Sequence, residues 1–251
     1  MEIHHHPDLH HRKKHFKEYF LEFLMIFLAV TLGFFAESYR EYLNDRSKEK
    51  EFMRTMVSDL KSDTTTMNRE IYYGRLTDIN TDSLLFVLKQ QNSPQNTALI
   101  YRLVGSDFYR FDNFKYHNRT VEELKSSGNF RLIQYGFIAD SIMTYDNNMK
   151  YFLYLLDGLQ QMMFDLKKAE EKVLDYKYFN RASYLTNFTI SVRDSMAVLF
   201  TQNKLLLGEY YNSLFNYSLL SSLYLKLLIE LKLEADNLLK LINKQYSLVN
   251  A

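Results

Sequence analysis

The sequence contains no cysteine. Disulfides, thiolate metal sites and thiol nucleophiles are thereby excluded together, and the absence suits an oxidising compartment, where a free thiol is a liability. Glycine and proline are scarce, seven and two in 251 residues, which disfavours turn-rich β-sandwiches and α/β folds built on glycine loops. Neither sign of charge dominates. Lys+Arg 31 against Asp+Glu 30 leaves +1, so binding of polyanions through bulk charge is excluded, and a hydrophobic content of 47% excludes a wholly disordered chain.

These averages conceal a strong polarity along the chain. Six of the seven histidines, His4, His5, His6, His10, His11 and His15, lie at its start. They are donors enough for a transition metal. Their spacing is irregular, however, and Pro7 breaks any helix through them. The plainer reading is a solvated tail whose charge rises below about pH 6.5, with metal binding by the six histidines as the alternative.

A long hydrophobic run follows. Between Tyr19 and Ala36 the only charged residue is Glu22. At a helical rise of about 1.5 Å per residue this stretch spans roughly 27 Å, close to the hydrocarbon thickness of a bilayer. A core helix would show a polar stripe, yet Phe23 to Phe35 is apolar all round except for Thr31 and Gly33. Phe34 and Ala36 do not make a small-x-small cleavage site, so the run reads as an uncleaved transmembrane anchor. The chain then divides into a basic, His-rich tail (1–18), a transmembrane helix (19–36) and a long remainder (37–251). Arg12, Lys13, Lys14 and Lys17 crowd the first flank of the anchor. Such flanks stay cytoplasmic, which places the remainder outside, in the periplasm of a bacterium.

Within the anchor, Glu22, Ile26, Ala29, Gly33 and Ala36 recur at helical spacing and share one narrow stripe. Small residues so spaced let a second backbone approach closely in lipid, which predicts packing against a second copy or a partner membrane protein. The alternative is that Ala and Gly are simply common in membrane helices. Glu22 sits about one turn inside the cytoplasmic boundary. It reads as a carboxylate reaching the headgroups, bridging to Lys17, or as an ion-coupling group in a stator-like complex, the latter on topology alone.

Beyond the anchor, Tyr39, Leu43, Met53, Val57, Leu60, Met67 and Ile71 keep a 3.5-residue spacing, with Arg46, Lys50 and Thr64 between them. This predicts a coiled-coil-like rod ending near Gly74. Separate helices are expected over 82–91 and, with Ser93 as N-cap and Pro94 in the first turn, to Val104. Thr120 and Glu123 form a capping box for a short helix that Gly128 ends. A long helix is expected from Leu132 to Tyr176, with the seam Ile138, Ile142, Tyr145, Met149, Phe152, Leu156, Leu159, Met163, Leu166 and Val173. Irregular sequence at 187–191 precedes a final helix to Tyr246. In that helix Lys226, Glu230, Lys232 and Glu234 interrupt Leu220, Tyr224, Leu227, Leu228, Leu231, Leu238 and Ile242 too often for a second span. The 20 Tyr and 19 Phe fit the core and seams of a bundle. The expected fold is all-α, a mostly antiparallel bundle on a single anchor.

No dinucleotide, P-loop, HExxH or EF-hand motif is present. His117, in FDNFKYHNRT, is the only histidine beyond the tail, so any triad or metal centre there depends on it alone, and it reads as a loop histidine. Glu-x-x-His pairs for a di-iron bundle are missing from the helices. Carboxylate-only hydrolysis is the one enzymatic route the composition leaves open. Basic residues alternate with acidic ones, as on solvated helix faces rather than in a nucleic-acid footprint. The expectation is a protein without enzymatic activity, cofactor or nucleic-acid partner.

The opening HHHPDLHHRKKHFKEYFLEFLMIFLAVTLGFFAES, together with EELKSSGNFRLI, resembles a group of uncharacterised bacterial single-pass membrane proteins. The first match covers about 35 residues and is the more specific of the two. The resemblance implies a bacterial inner-membrane anchor and brings no activity, cofactor or catalytic residue with it. The expected function is that of a membrane-anchored structural or interaction protein. Its partners would be the bilayer and either a second copy or another membrane protein. An ion-driven complex using Glu22, metal binding by the histidine tract and recognition of a small periplasmic ligand are the alternatives.

Overall fold

A computed structural model describes residues 16–90, 94–106, 114–180, 191–192 and 197–248. The described residues form five α-helices and almost no strand, an all-α fold. The helices are α1 (Phe16–Lys89), α2 (Pro94–Gly105), α3 (Arg119–Ser126), α4 (Gly136–Glu170) and α5 (Lys204–Tyr246). Two two-residue strands, β1 (Phe179–Asn180) and β2 (Ser191–Val192), pair antiparallel. The chain divides into two compact units, Met1–Glu51 and Phe52–Ala251, and the boundary falls inside α1.

In the first unit, the α1 residues from Phe16 to Phe35 leave their large apolar side chains outside, as in Phe23 (63% exposed), Phe27 (53%) and Phe34 (72%). None of the described residues covers them. The Thr31 hydroxyl donates to the Phe27 carbonyl one turn back, at 2.7 Å, so this hydroxyl is satisfied within the helix, as an apolar solvent requires.

In the second unit, the same helix buries Met53, Met56, Val57, Leu60, Met67 and Ile71. Helix α4 buries Ile138, Ile142, Tyr145, Met149, Phe152, Leu156, Leu159 and Leu166, and α5 buries Tyr224, Leu228, Leu231, Leu238 and Ile242. From Met53 on, the expected α1 seam joins those of α4 and α5 in the core, with Met163, Leu220 and Leu227 only partly buried, whereas Tyr39 and Leu43 at its start are exposed. Ion pairs and ring contacts fix the directions. Asn148 meets Glu234 and Lys172 meets Glu209, so α4 and α5 run antiparallel, with Phe152 stacked on Tyr224 at 4.5 Å between centroids. Gly74 meets Leu225, Asp78 meets Ser222 and Lys89 lies over the Tyr211 ring, so α1 and α5 are also antiparallel.

Several expected boundaries are corrected. The rod does not stop at Gly74, and 82–91 is no separate helix, because α1 runs unbroken to Lys89. Core positions Thr77, Thr81, Leu84, Leu85 and Val87 continue its inner face. Gly74 serves close approach instead of termination, since a Cβ there would lie 2.9 Å from Leu225 Cδ1. The long middle helix is shorter than expected. Gly136–Glu170 is flanked by 3-10 turns at Asn129–Leu132 and Tyr176–Tyr178. Val173 is still buried, but beyond the helix. Gly128 adopts φ 67° after α3, the left-handed stop that the sequence suggested. The Ser93 cap lies outside the described residues, as does most of the irregular segment at 187–191, of which only Ser191 is described, in β2.

Candidate functional site

The capping box expected at the start of α3 does not form, and its replacement organises the interior. Helix α3 begins at Arg119, so Thr120 is already inside the first turn, and Asn118 makes no side-chain cap. The unpaired N–H groups of that turn need another acceptor. Asp59 of α1 supplies it: its Oδ2 accepts from the Thr120 backbone N–H at 3.1 Å and from the Thr120 hydroxyl at 2.6 Å. A carboxylate there also opposes the positive end of the helix dipole.

One turn further along α1, Asp63 does the same for the preceding loop. Its Oδ1 accepts from the His117 backbone N–H and lies 2.9 Å from His117 Nδ1, while its Oδ2 accepts from the Tyr145 hydroxyl at 2.9 Å. Asp63 is 1% exposed. Burial pushes its pKa up, against the opposing hydrogen bonds from His117 and Tyr145. Burial also raises the Tyr145 hydroxyl, helped by the Asp63 charge, so it remains a donor. His117, read as a loop histidine, is indeed on a loop, but half-buried and oriented by Asp63.

Asp146, next to Tyr145 on α4, is fully buried as well. It accepts from Tyr116 at 3.0 Å, and Lys125 and Lys150 both reach its Oδ2. Burial works against its charge, but the hydrogen bonds from the two lysines and Tyr116 outweigh it and hold the carboxyl below its ordinary range. The bond to Asp146 in turn raises Lys150. Two carboxylates of similar burial are thus pushed in opposite directions, because one is met by neutral donors and a histidine and the other by two ammonium groups.

Beside this cluster, α4 and α5 leave a cleft of about 460 Å³ whose lining includes Tyr145, Asp140, Thr144, Glu234 and Asn237. The cluster and cleft were not among the sequence-derived candidates. Their sequence signal is a pair of carboxylates one turn apart on α1, Asp59 and Asp63, each one residue before a seam position, Leu60 and Thr64.

The anchor stripe lies on α1 in the other unit. Glu22 is half-buried, whereas Ile26, Ala29, Gly33 and Ala36 are exposed, and a Cβ on Gly33 would meet nothing within 4 Å. His4, His5, His6, His10, His11 and His15 lie outside the described residues. Among the described residues no group of three or more His, Asp or Glu side chains is placed to hold a metal ion.

Two helices, α1 and α5, are long and apolar enough to cross a membrane. The charges on α5 therefore interrupt it less than the sequence reading supposed: its most apolar window reaches a mean hydropathy of 1.2, with 44% of that window buried. The α1 window reaches 2.1 and none of it is buried. No protein-family model, curated protein or solved structure matches the chain.

Proposed function

We propose that this chain is a membrane-anchored interaction protein. Residues 19–36 span a bacterial inner membrane with the basic flank in the cytoplasm, the helical bundle lies in the periplasm, and the anchor packs in lipid through Glu22, Ile26, Ala29, Gly33 and Ala36. The observation that carries the reading is the bare apolar window of α1, with a mean hydropathy of 2.1 and no buried share. The most apolar window of α5 is instead 44% buried, with Tyr217, Tyr224, Leu225, Leu228 and Leu231 turned into the bundle core. The resemblance of the opening residues to bacterial single-pass membrane proteins supports the same reading.

Gly33→Leu is the informative variant, because a Cβ at Gly33 meets none of the described residues within 4 Å. Cross-linking in native membranes, followed by identification of the adducts, should show a homo-oligomer or a discrete membrane partner for the wild type and loss of that adduct for the variant. A wild type that is monomeric and partnerless in native membranes overturns the reading. So does an adduct that survives Gly33→Leu unchanged.

A further inference from the structure

We propose that the cleft between α4 and α5 is a binding site for a small organic cation, an amine carried on a short aliphatic body. Its volume, about 460 Å³, falls within the range of small-molecule sites. Its walls combine apolar surface from Leu238, Leu241 and Tyr145 with two carboxylates, Asp140 and Glu234, and with Thr144 and Asn237; among the described residues no lysine, arginine or histidine lines it.

The carboxylates set the chemistry. Several acidic side chains elsewhere in the bundle are matched to lysines: Asp146 to Lys125 and Lys150, Glu170 to Lys167, Glu209 to Lys172. In the cleft they are not. Among the described residues neither Asp140 nor Glu234 forms an ion pair, and Lys232, close by on α5, is committed to Asp236 at 2.7 Å. Glu234 is half-buried and held in place by Asn148, whose amide nitrogen lies 3.0 Å from both carboxylate oxygens. A fixed, partly desolvated carboxylate served only by a neutral amide attracts a cation more strongly than a fully solvated one. The hydroxyl and amide around it add hydrogen-bond acceptors for ammonium protons, and the leucines give the aliphatic body an apolar surface. An anion would find no positive group there, and a bare apolar ligand would leave the carboxylates uncompensated.

The site makes no use of the anchor, so it stands or falls separately from the membrane reading. Isothermal titration of the full-length chain in detergent, with 1,4-diaminobutane and spermidine as probes and 1,4-butanediol as the uncharged control, tests it. The amines should bind and the diol should not. Glu234→Gln, which keeps a carbonyl facing Asn148, should weaken amine binding about tenfold, and Asp140→Asn, at an exposed position, about threefold. Unchanged affinity in both variants overturns the proposal, as does equal binding of the diol. A wild-type melting midpoint that does not rise with about 10 mM 1,4-diaminobutane overturns it without recourse to any variant.

Discussion

One helix, α1, carries two stretches that solve opposite solvent problems. From Phe16 to Phe35 its apolar side chains face outward and the Thr31 hydroxyl is turned back onto the helix. From Met53 to Val87 one apolar face, Met53, Met56, Val57, Leu60, Met67, Ile71, Leu84, Leu85 and Val87, turns inward, and with it go Asp59, Asp63 and Glu70. The difference teaches that helical propensity is neutral about surroundings. What separates a lipid-facing stretch from a core-facing one is whether polar groups are absent or are present and met by partners. Carboxylates on the inner face of the second stretch are tolerable because Thr120, His117 and Tyr145 donate to them.

The sharpest way to break the comparison is to place the same charge in both stretches. Leu28→Lys, in the middle of the apolar run, should cost about 2.5–3.5 kcal/mol of insertion free energy and release part of the protein in alkaline extraction of membranes, with the bundle still folded. Leu60→Lys, on the core face, should leave the chain in the membrane and unfold the bundle, read as loss of the cooperative transition in thermal denaturation.

Next in size is Asp146→Asn. It leaves two lysines without their shared acceptor, but both are partly exposed and can turn to water. We expect a loss of about 1–3 kcal/mol in urea denaturation at neutral pH. Because Asp146 is held below its ordinary range, its contribution is present above the unfolded carboxylate pKa and fades as pH falls through the lower folded value. The penalty of the variant should therefore shrink in strong acid.

Asp63→Asn should slope the other way. A raised carboxyl means that the folded chain holds its proton more tightly than the unfolded chain. Its contribution is fully present below the ordinary carboxylate range and is lost as pH rises through the folded value. Wild type should gain on the variant as pH falls from neutral to about 4, measured by paired urea midpoints. Parallel pH slopes for the Asp63 and Asp146 variants would remove the distinction between the two carboxylates.

The smallest effect is expected at Gly74→Ala. Alanine adds about 0.8–1 kcal/mol of helix propensity, while its Cβ would press on the flexible end of Leu225 at 2.9 Å. The two nearly cancel, so a melting midpoint within a few degrees of wild type is expected.

The regular parts of this fold were legible because they repeat. Met149, Phe152, Leu156 and Leu159 announce the core face of α4 by spacing alone, and Leu228, Leu231, Leu238 and Ile242 do so for α5. Tertiary partners were not legible. The Thr120–Glu123 pattern is a sound local cap, but the acceptor used is Asp59, which no local rule connects to Thr120. Gly74 looked like a stop because sequence does not distinguish a glycine that ends a helix from one that admits a neighbour. The cleft was invisible for the same reason: Asp140 and Glu234 belong to helices whose pairing only packing decides.

The docking of α3 onto α1 has a consequence for the order in which the chain organises itself. The amides of His117 and Thr120 are tied to carboxylates 54 and 61 residues earlier, whereas helix bonds join residues four apart. Closing loops of that length must be offset by contacts made elsewhere, so long-range ties form late relative to local helix. An eight-residue helix such as α3 is too short to persist alone. The first turn of α3 is therefore a latecomer, completed on a surface that α1 already presents, and Asp59 and Asp63 act as the template that sets where it starts.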